Sequence, residues 1–146
     1  MDFRQGDGLL PLKGRSYDLV VIAGMGYDTI LKIMERRDVL VGEPHFIVQP
    51  MQGGLRMHEA IVKSGWTIIQ SELVRQRDRY YPTWLLDVHQ RSCNAKPLFV
   101  PTEFRSSVFY RTFLEEELQY RRQLPDRDEI IGAEIDQIGQ ELERIE

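Results

Sequence analysis

Asp18-Leu19-Val20-Val21-Ile22-Ala23-Gly24-Met25-Gly26-Tyr27-Asp28 is the stretch on which the reading of the fold turns. An apolar run closed by two glycines and followed by helical spacing describes a buried parallel strand that delivers a tight turn at its carboxyl end. Open α/β sheets keep their ligands at such ends. No second Gly-rich strand-to-helix turn precedes it, so the chain reads as the back half of a nucleotide-type enzyme.

Outward from that stretch the periodicity changes twice. Asp18 to Ala23 is apolar, Thr29 to Arg36 has helical spacing through Ile30, Ile33 and Met34, His45 to Gln49 is apolar again, and Leu55 to Lys63 is helical. Strand, helix, strand, helix implies a parallel sheet with crossovers. Trp66 to Val74 and Tyr80 to Val88 are then joined only by the charged stretch Arg75-Gln76-Arg77-Asp78-Arg79, which predicts an antiparallel hairpin. Residues 1–89 are therefore read as the sheet domain and 90–101 as a linker with two prolines. Residues 102–146 are read as a helical extension whose first helix starts at Thr102 as N-cap. Asp126 and Glu129 stand at capping-box-like spacing for a second helix, along which Ile131, Ile135, Ile138, Leu142 and Ile145 step as an a/d seam. With Phe109, Phe113 and Tyr120 on the preceding helix, this predicts a helical hairpin or short coiled coil. It either packs onto the sheet domain or grips a substrate.

Composition bounds the partners. The 146 residues are 42% hydrophobic, long enough for one domain with a real core. The single cysteine, Cys93, allows no internal disulfide, and no run approaches a membrane span, so a cytoplasmic protein is expected. The net charge of −4 is uneven: residues 126–146 hold eight acids against two arginines, −6, and the remainder is +2. His45, His58 and His89 are scattered without ligand spacing, and no metal is expected. Arg75, Arg77 and Arg79 form one basic cluster at a hairpin tip, where a solvated turn is the usual outcome and RNA contact the alternative.

Arg4-Gln5-Gly6-Asp7-Gly8-Leu9, Ile22-Ala23-Gly24-Met25-Gly26, Ile47-Val48-Gln49-Pro50-Met51 with Leu55-Arg56, Gly65-Trp66 and Ser71-Glu72 occur in an order and spacing that resemble the bacterial tRNA (adenine-N1)-methyltransferases modifying adenine 22. The resemblance runs from about Phe3 to Tyr80, and more weakly beyond. It implies a partial Rossmann-like class I methyltransferase sheet with a C-terminal helical hairpin or coiled coil. The implied function is S-adenosylmethionine-dependent methylation of N1 of a tRNA adenine.

Carried over by position, Gly6, Asp7, Gly8 and Ala23 would bind the cofactor. The Asp7 carboxylate would accept from its adenine amine while the glycines admit the backbone; Gly-Asp-Gly is equally an ordinary turn. Gly24, Met25, Gly26 and Asp28 would occupy a loop beside the methyl donor and the target base. Glycines there leave space, and Met25 offers a soft contact. Asp28 would hold or later take the proton of the exocyclic amine, or simply cap the helix that follows. Tyr27 stands where the family continues with glycine, and an aromatic can stack on a base. Gln49 and Pro50 at the end of the next strand, and Arg56 on the following helix, are the remaining substrate candidates. Pro50 is also a plain strand terminator, and Arg56 a plain solvated arginine.

The departure lies at the start. A Gly-rich loop after a first strand and an acid ending a second are not present in these residues, so S-adenosylmethionine binding by this chain alone is expected to be weak or absent. A truncated or partner-dependent member is expected, with an N-terminal half-domain from another chain, or self-association through an uncovered sheet edge. The alternative is a non-catalytic RNA-binding or protein-interaction module derived from the same fold.

Overall fold

The computed structural model describes residues 1–91 and 99–146; Cys93, Pro97 and Leu98 of the predicted linker lie outside the described residues. The alternation read from the sequence is realised as β1 (Leu19–Gly26), α1 (Tyr27–Met34), β2 (His45–Gln52), α2 (Gly54–Ser64), β3 (Trp66–Gln76) and β4 (Arg79–Arg91). Two further helices follow, α3 (Tyr110–Arg122) and α4 (Glu129–Arg144), with 3-10 turns at Leu10–Leu12, Arg37–Val39 and Thr102–Phe104. The sheet has the order β1-β2-β4-β3, with β1 and β2 parallel and the other two pairings antiparallel.

Period-2 alternation decides which face is covered. Val20 and Ile22 of β1, Phe46 and Val48 of β2, and Trp84 and Leu86 of β4 are buried, whereas Leu19 and Val21 are exposed. The covered face takes Ile30 and Met34 of α1, Leu55, Met57 and Ile61 of α2, and Phe113, Leu114 and Leu118 of α3 into one continuous core. The helical arm joins that core through aromatic contacts. Phe104 lies 5.4 Å from Trp84, and Phe109 and Phe113 each lie 6.1 Å from Tyr80. On α4, Ile138 is fully buried and the rest of the predicted seam is half-buried against α3.

Several local expectations are corrected. β1 does not end at Ala23: Gly24 takes φ +82° and inserts a bulge, after which pairing with β2 resumes from Met25. Ala23-Gly24-Met25-Gly26 is thus strand with a bulge, and not a loop. β2 likewise runs on through Pro50, which is buried opposite Met25, so that proline does not terminate it. The hairpin turn is only Arg77-Asp78, because Gln76 still pairs with Arg79, and Arg77 takes φ +55° to close it. β4 extends past His89 to Arg91. Thr102 opens a 3-10 turn and caps no long helix; α3 begins only at Tyr110. The second arm helix is capped by Asp128 and not Asp126, its carboxylate accepting from the Ile131 amide at 2.9 Å. Tyr120 is exposed, leaving Tyr110, Phe113, Leu114 and Leu118 as the apolar face of α3.

Candidate functional site

Two parallel strands end side by side, and each feeds directly into a helix. β1 reaches α1 through Gly26, whose extended backbone is the N-cap and carries no capping side chain. Asp28 is therefore not the cap; it is the acid of the first turn, where a negative charge suits the helix dipole. β2 reaches α2 through Gly53, at φ +75°. A Cβ on Gly53 would stand 2.3 Å from Cδ1 of Tyr27, so the ring of Tyr27 lies directly on that glycine. Tyr27 is thus seated by the missing side chain of residue 53.

The bulge is held from the neighbouring strand. The Gly24 amide donates to Gln49 Oε1 at 3.3 Å, and Gln49 Nε2 donates to the Pro50 carbonyl at 3.0 Å. A Cβ on Gly24 would meet nothing within 4 Å, so its positive φ and not crowding calls for glycine. Met25 packs against the core.

In front of the two strand ends lies a cleft of about 730 Å³, roofed by α3 and α4. Gly26, Tyr27, Asp28 and Arg56 line it, so four of the residues singled out in the sequence come together there. They are joined by Gln52 and Gly53 and, from the arm, by Glu117, Tyr120, Arg121, Leu124, Ile131 and Glu134. Gly24 and Gln49 stand at the bulge; Gln49 faces a separate recess of about 400 Å³ with Met51, Val74 and Tyr81. Gly6, Asp7 and Gly8 do not line the cleft. They form the turn into Leu10–Leu12, where Gly8, at φ +53°, packs beside Ile33 of α1. No hydrogen bond or ion pair engages the Asp7 carboxylate among the described residues.

The wall between sheet and arm is a buried charge network. Glu134 accepts from Arg121 Nε at 3.0 Å and forms a second ion pair with Arg56. Arg121 also reaches Glu117 at 2.5 Å, and Arg56 reaches Glu59 at 3.3 Å. Glu134 Oε1 faces Arg56 without an aligned hydrogen bond. Both guanidinium groups lie over the Phe99 ring, at 5.5 and 4.9 Å from its centre. Each arginine of the cleft is consequently already engaged by two carboxylates.

Two further clusters anchor the arm. His58, buried on α2, places Nδ1 3.2 Å from the Phe99 carbonyl and Nε2 3.3 Å from Glu103 Oε1, which also accepts from Trp84 Nε1 at 2.8 Å. Burial alone would raise the Glu103 carboxyl, but the hydrogen bonds of His58 and Trp84 and the field of His58 outweigh it and hold it below its ordinary value. At the other end Arg105 grips the buried Glu141 with two bonds of 2.6 and 2.7 Å. Those bonds hold Glu141 below the usual carboxylate range against the opposing effect of burial. Tyr110, which donates to Glu141 at 3.3 Å, is pushed up, by burial first and then by the neighbouring charge.

The sequence offered substrate gripping by the arm as one of two alternatives, but named none of the arm's cleft residues as site residues. A visible signal was Glu134, a charge one residue from Ile135 and four from Ile138, beside the apolar seam. Among the described residues no group of three or more His, Cys, Asp or Glu side chains is placed to hold a metal ion. No helix among them is long and apolar enough to cross a membrane.

Residues 1–83 match the family described as a methyltransferase domain. A tRNA (adenine(22)-N(1))-methyltransferase of Bacillus subtilis (strain 168) is 30% identical over 89 residues, which are 60% of this chain and 37% of that protein. The chain thus matches well under half the length of that relative. Among solved structures, M. capricolum TrmK in complex with S-adenosyl-homocysteine superposes with a TM-score of 0.74 at 20% identity, covering 97% of this chain and 68% of that one. The B. subtilis m1A22 tRNA methyltransferase TrmK superposes at 0.70 and 21%, covering 97% and 67%. At these identities the superpositions establish a shared Rossmann-like methyltransferase fold.

Proposed function

The chain belongs to the methyltransferase-domain family, and from that premise we propose that it is the substrate-facing part of an S-adenosylmethionine-dependent enzyme methylating N1 of a tRNA adenine. The observation that carries this reading is the cleft itself. It opens at the carboxyl ends of two parallel strands, beside a glycine bulge, with a tyrosine seated on Gly53. A relative 30% identical over 89 residues is a tRNA (adenine(22)-N(1))-methyltransferase.

The residues present fit one end of the cofactor. The free Asp7 carboxylate between two glycines suits an adenine amine, whereas ahead of β1 the described residues form no strand longer than the single bridge Ser16–Val41. Contacts to the methionine and ribose groups would come from an N-terminal half-domain, in the same polypeptide or another. Bound there, the cofactor supplies an electrophilic methyl group. The chain's own residues supply position: N1 of adenine already has a lone pair, so alignment dominates over acid/base chemistry. Gly26 leaves room for the base at the strand end, Gly24 shapes that end through its bulge, Tyr27 offers a face to stack on, and Asp28 accepts from the exocyclic amine. Residues 1–89 form the methyltransferase part, 90–101 the connection and 102–146 an arm, packed as a hairpin or short coiled coil, that holds tRNA against the cleft. A cytoplasmic setting follows from such a substrate.

Calorimetric titration with S-adenosylmethionine tests the division of labour. The chain alone should bind weakly or not at all, and adding a homologous N-terminal half should raise affinity. Asp7→Ala should then lose about 1.5–3 kcal/mol, the worth of a charge-assisted hydrogen bond. Micromolar binding by the chain alone would refute the division. tRNA binding without cofactor binding, even with the half-domain present, would favour a non-catalytic RNA-binding module.

A further inference from the structure

The charges around the cleft are out of balance in a direction that does not suit a phosphate. Asp28, Glu117 and Glu134 line it against Arg56 and Arg121, a formal excess of one negative charge. Neither arginine is free: Arg56 is held by Glu59 and Glu134, and Arg121 by Glu117 and Glu134. Glu134, 96% buried in the cleft wall, meets a guanidinium at each oxygen, Arg121 at Oε2 and Arg56 at Oε1, so its charge is spent within the network. Asp28 is exposed and engages no ion pair among the described residues. Two tyrosines complete the lining: Tyr27 on its glycine seat, and Tyr120, which is 62% exposed at the rim of the arm. An acidic cleft with two aromatic faces is suited to an aromatic cation.

Methylation at N1 produces such a cation. The N1 lone pair forms the new N–C bond, the carbon–sulfur bond of the sulfonium donor breaks with its electron pair going to sulfur, and the positive charge passes from the donor to the adenine ring. We infer that the cleft between the β1 and β2 ends and the helical arm selectively holds the positively charged N1-methylated base, with Tyr27 and Tyr120 as faces and Asp28 as the counter-charge. This rests on the reading that the target adenine enters this cleft. It adds that the site is complementary to charge that develops during transfer, and so favours the transition state over the neutral substrate.

The test needs neither cofactor nor catalysis. The full 146-residue chain is titrated with 1-methyladenosine and, separately, with adenosine, each followed by tyrosine fluorescence or by chemical shifts. The expected result is 1-methyladenosine binding tighter by about two- to fivefold for each exposed cation–π contact. Tyr120→Ala and Asp28→Asn, both at exposed positions where folding is not at stake, should bring the ratio toward one, and Tyr120→Phe should preserve it. Equal affinities, a preference for adenosine, or no binding of either nucleoside at millimolar concentration would overturn the inference. A ratio of one alongside intact methyl transfer to tRNA would remove the charge selectivity and leave the proposed reaction standing. A ratio above one without any methyl transfer would do the reverse.

Discussion

Replacing Glu134 by alanine removes the acceptor shared by Arg121 and Arg56 at the junction of α2, α3 and α4. Arg121 is only 5% exposed, so the substitution leaves a largely buried guanidinium short of one of its two carboxylates. Removing one partner of a buried pair costs about 3–5 kcal/mol. Here Arg121 keeps Glu117 at 2.5 Å and the Phe99 ring at 4.9 Å, so a loss of about 2–4 kcal/mol is expected. Against a typical total of about 5–15 kcal/mol, that is a large part of the stability. Urea unfolding read by tryptophan fluorescence measures it, because Trp84 sits fully buried in the core beside the arm. Two controls fix the interpretation. Glu115→Ala breaks the exposed pair with Arg111 and should change stability by no more than about 0.5 kcal/mol. Glu134→Leu combined with Arg121→Met removes both charges and should be close to neutral. A Glu134→Ala variant no less stable than Glu115→Ala would refute the view that this network docks the arm.

Gly53→Ala meets both a positive φ and the Tyr27 ring, whereas Gly24→Ala meets only the φ; stability measurements should show the first costing more, by about 1–3 kcal/mol, and Tyr27→Ala should erase the difference. Because Arg105 lowers the Glu141 carboxyl below its ordinary value of 4.5, its stabilisation should be fully present above that pH and fade as pH falls through the lower folded-state value. The stability gap between the natural chain and Glu141→Gln, followed by unfolding at stepped pH, should shrink correspondingly in acid. If the hairpin tip touches tRNA, neutralising Arg75, Arg77 and Arg79 together should flatten the salt dependence of binding by about 0.7–0.9 for each phosphate no longer neutralised, and an unchanged slope assigns the tip to solvent. β1 is an edge strand whose Leu19 and Val21 are 46% and 61% exposed, so sedimentation should detect self-association that Val21→Lys reduces.

The parts of the fold that could be read from sequence are those where one local rule acts alone. Leu19 to Ile22 and the Trp66 to Val88 hairpin follow from apolar runs and from the lack of room for a crossover. The misreadings fall where tertiary pairing overrides a local signal. Gly24 looks like the end of a strand, but Gln49 accepts its amide and β2 continues to pair beyond it, so the glycine becomes a bulge. Asp28 looks like a cap, but the preceding glycine already supplies the extended backbone and Asp28 falls inside the helix. Thr102 looks like a helix start, but Phe104 and Glu103 are drawn onto Trp84 and His58, which holds that segment in a short 3-10 turn. The cleft was half legible. Gly26, Tyr27, Asp28 and Arg56 lie in contiguous motifs, whereas Glu117, Arg121 and Glu134 reach it only through the packing of α3 and α4, which no spacing within one helix encodes.

The most direct test of the central claim is to supply the chain with an N-terminal methyltransferase half and S-adenosylmethionine carrying a labelled methyl group, then map the label on a tRNA transcript. The account predicts label on N1 of an adenine, absent when either the half-domain or this chain is omitted. Label on another atom or another base, or a cofactor-loaded complex that binds tRNA and transfers nothing, would contradict it.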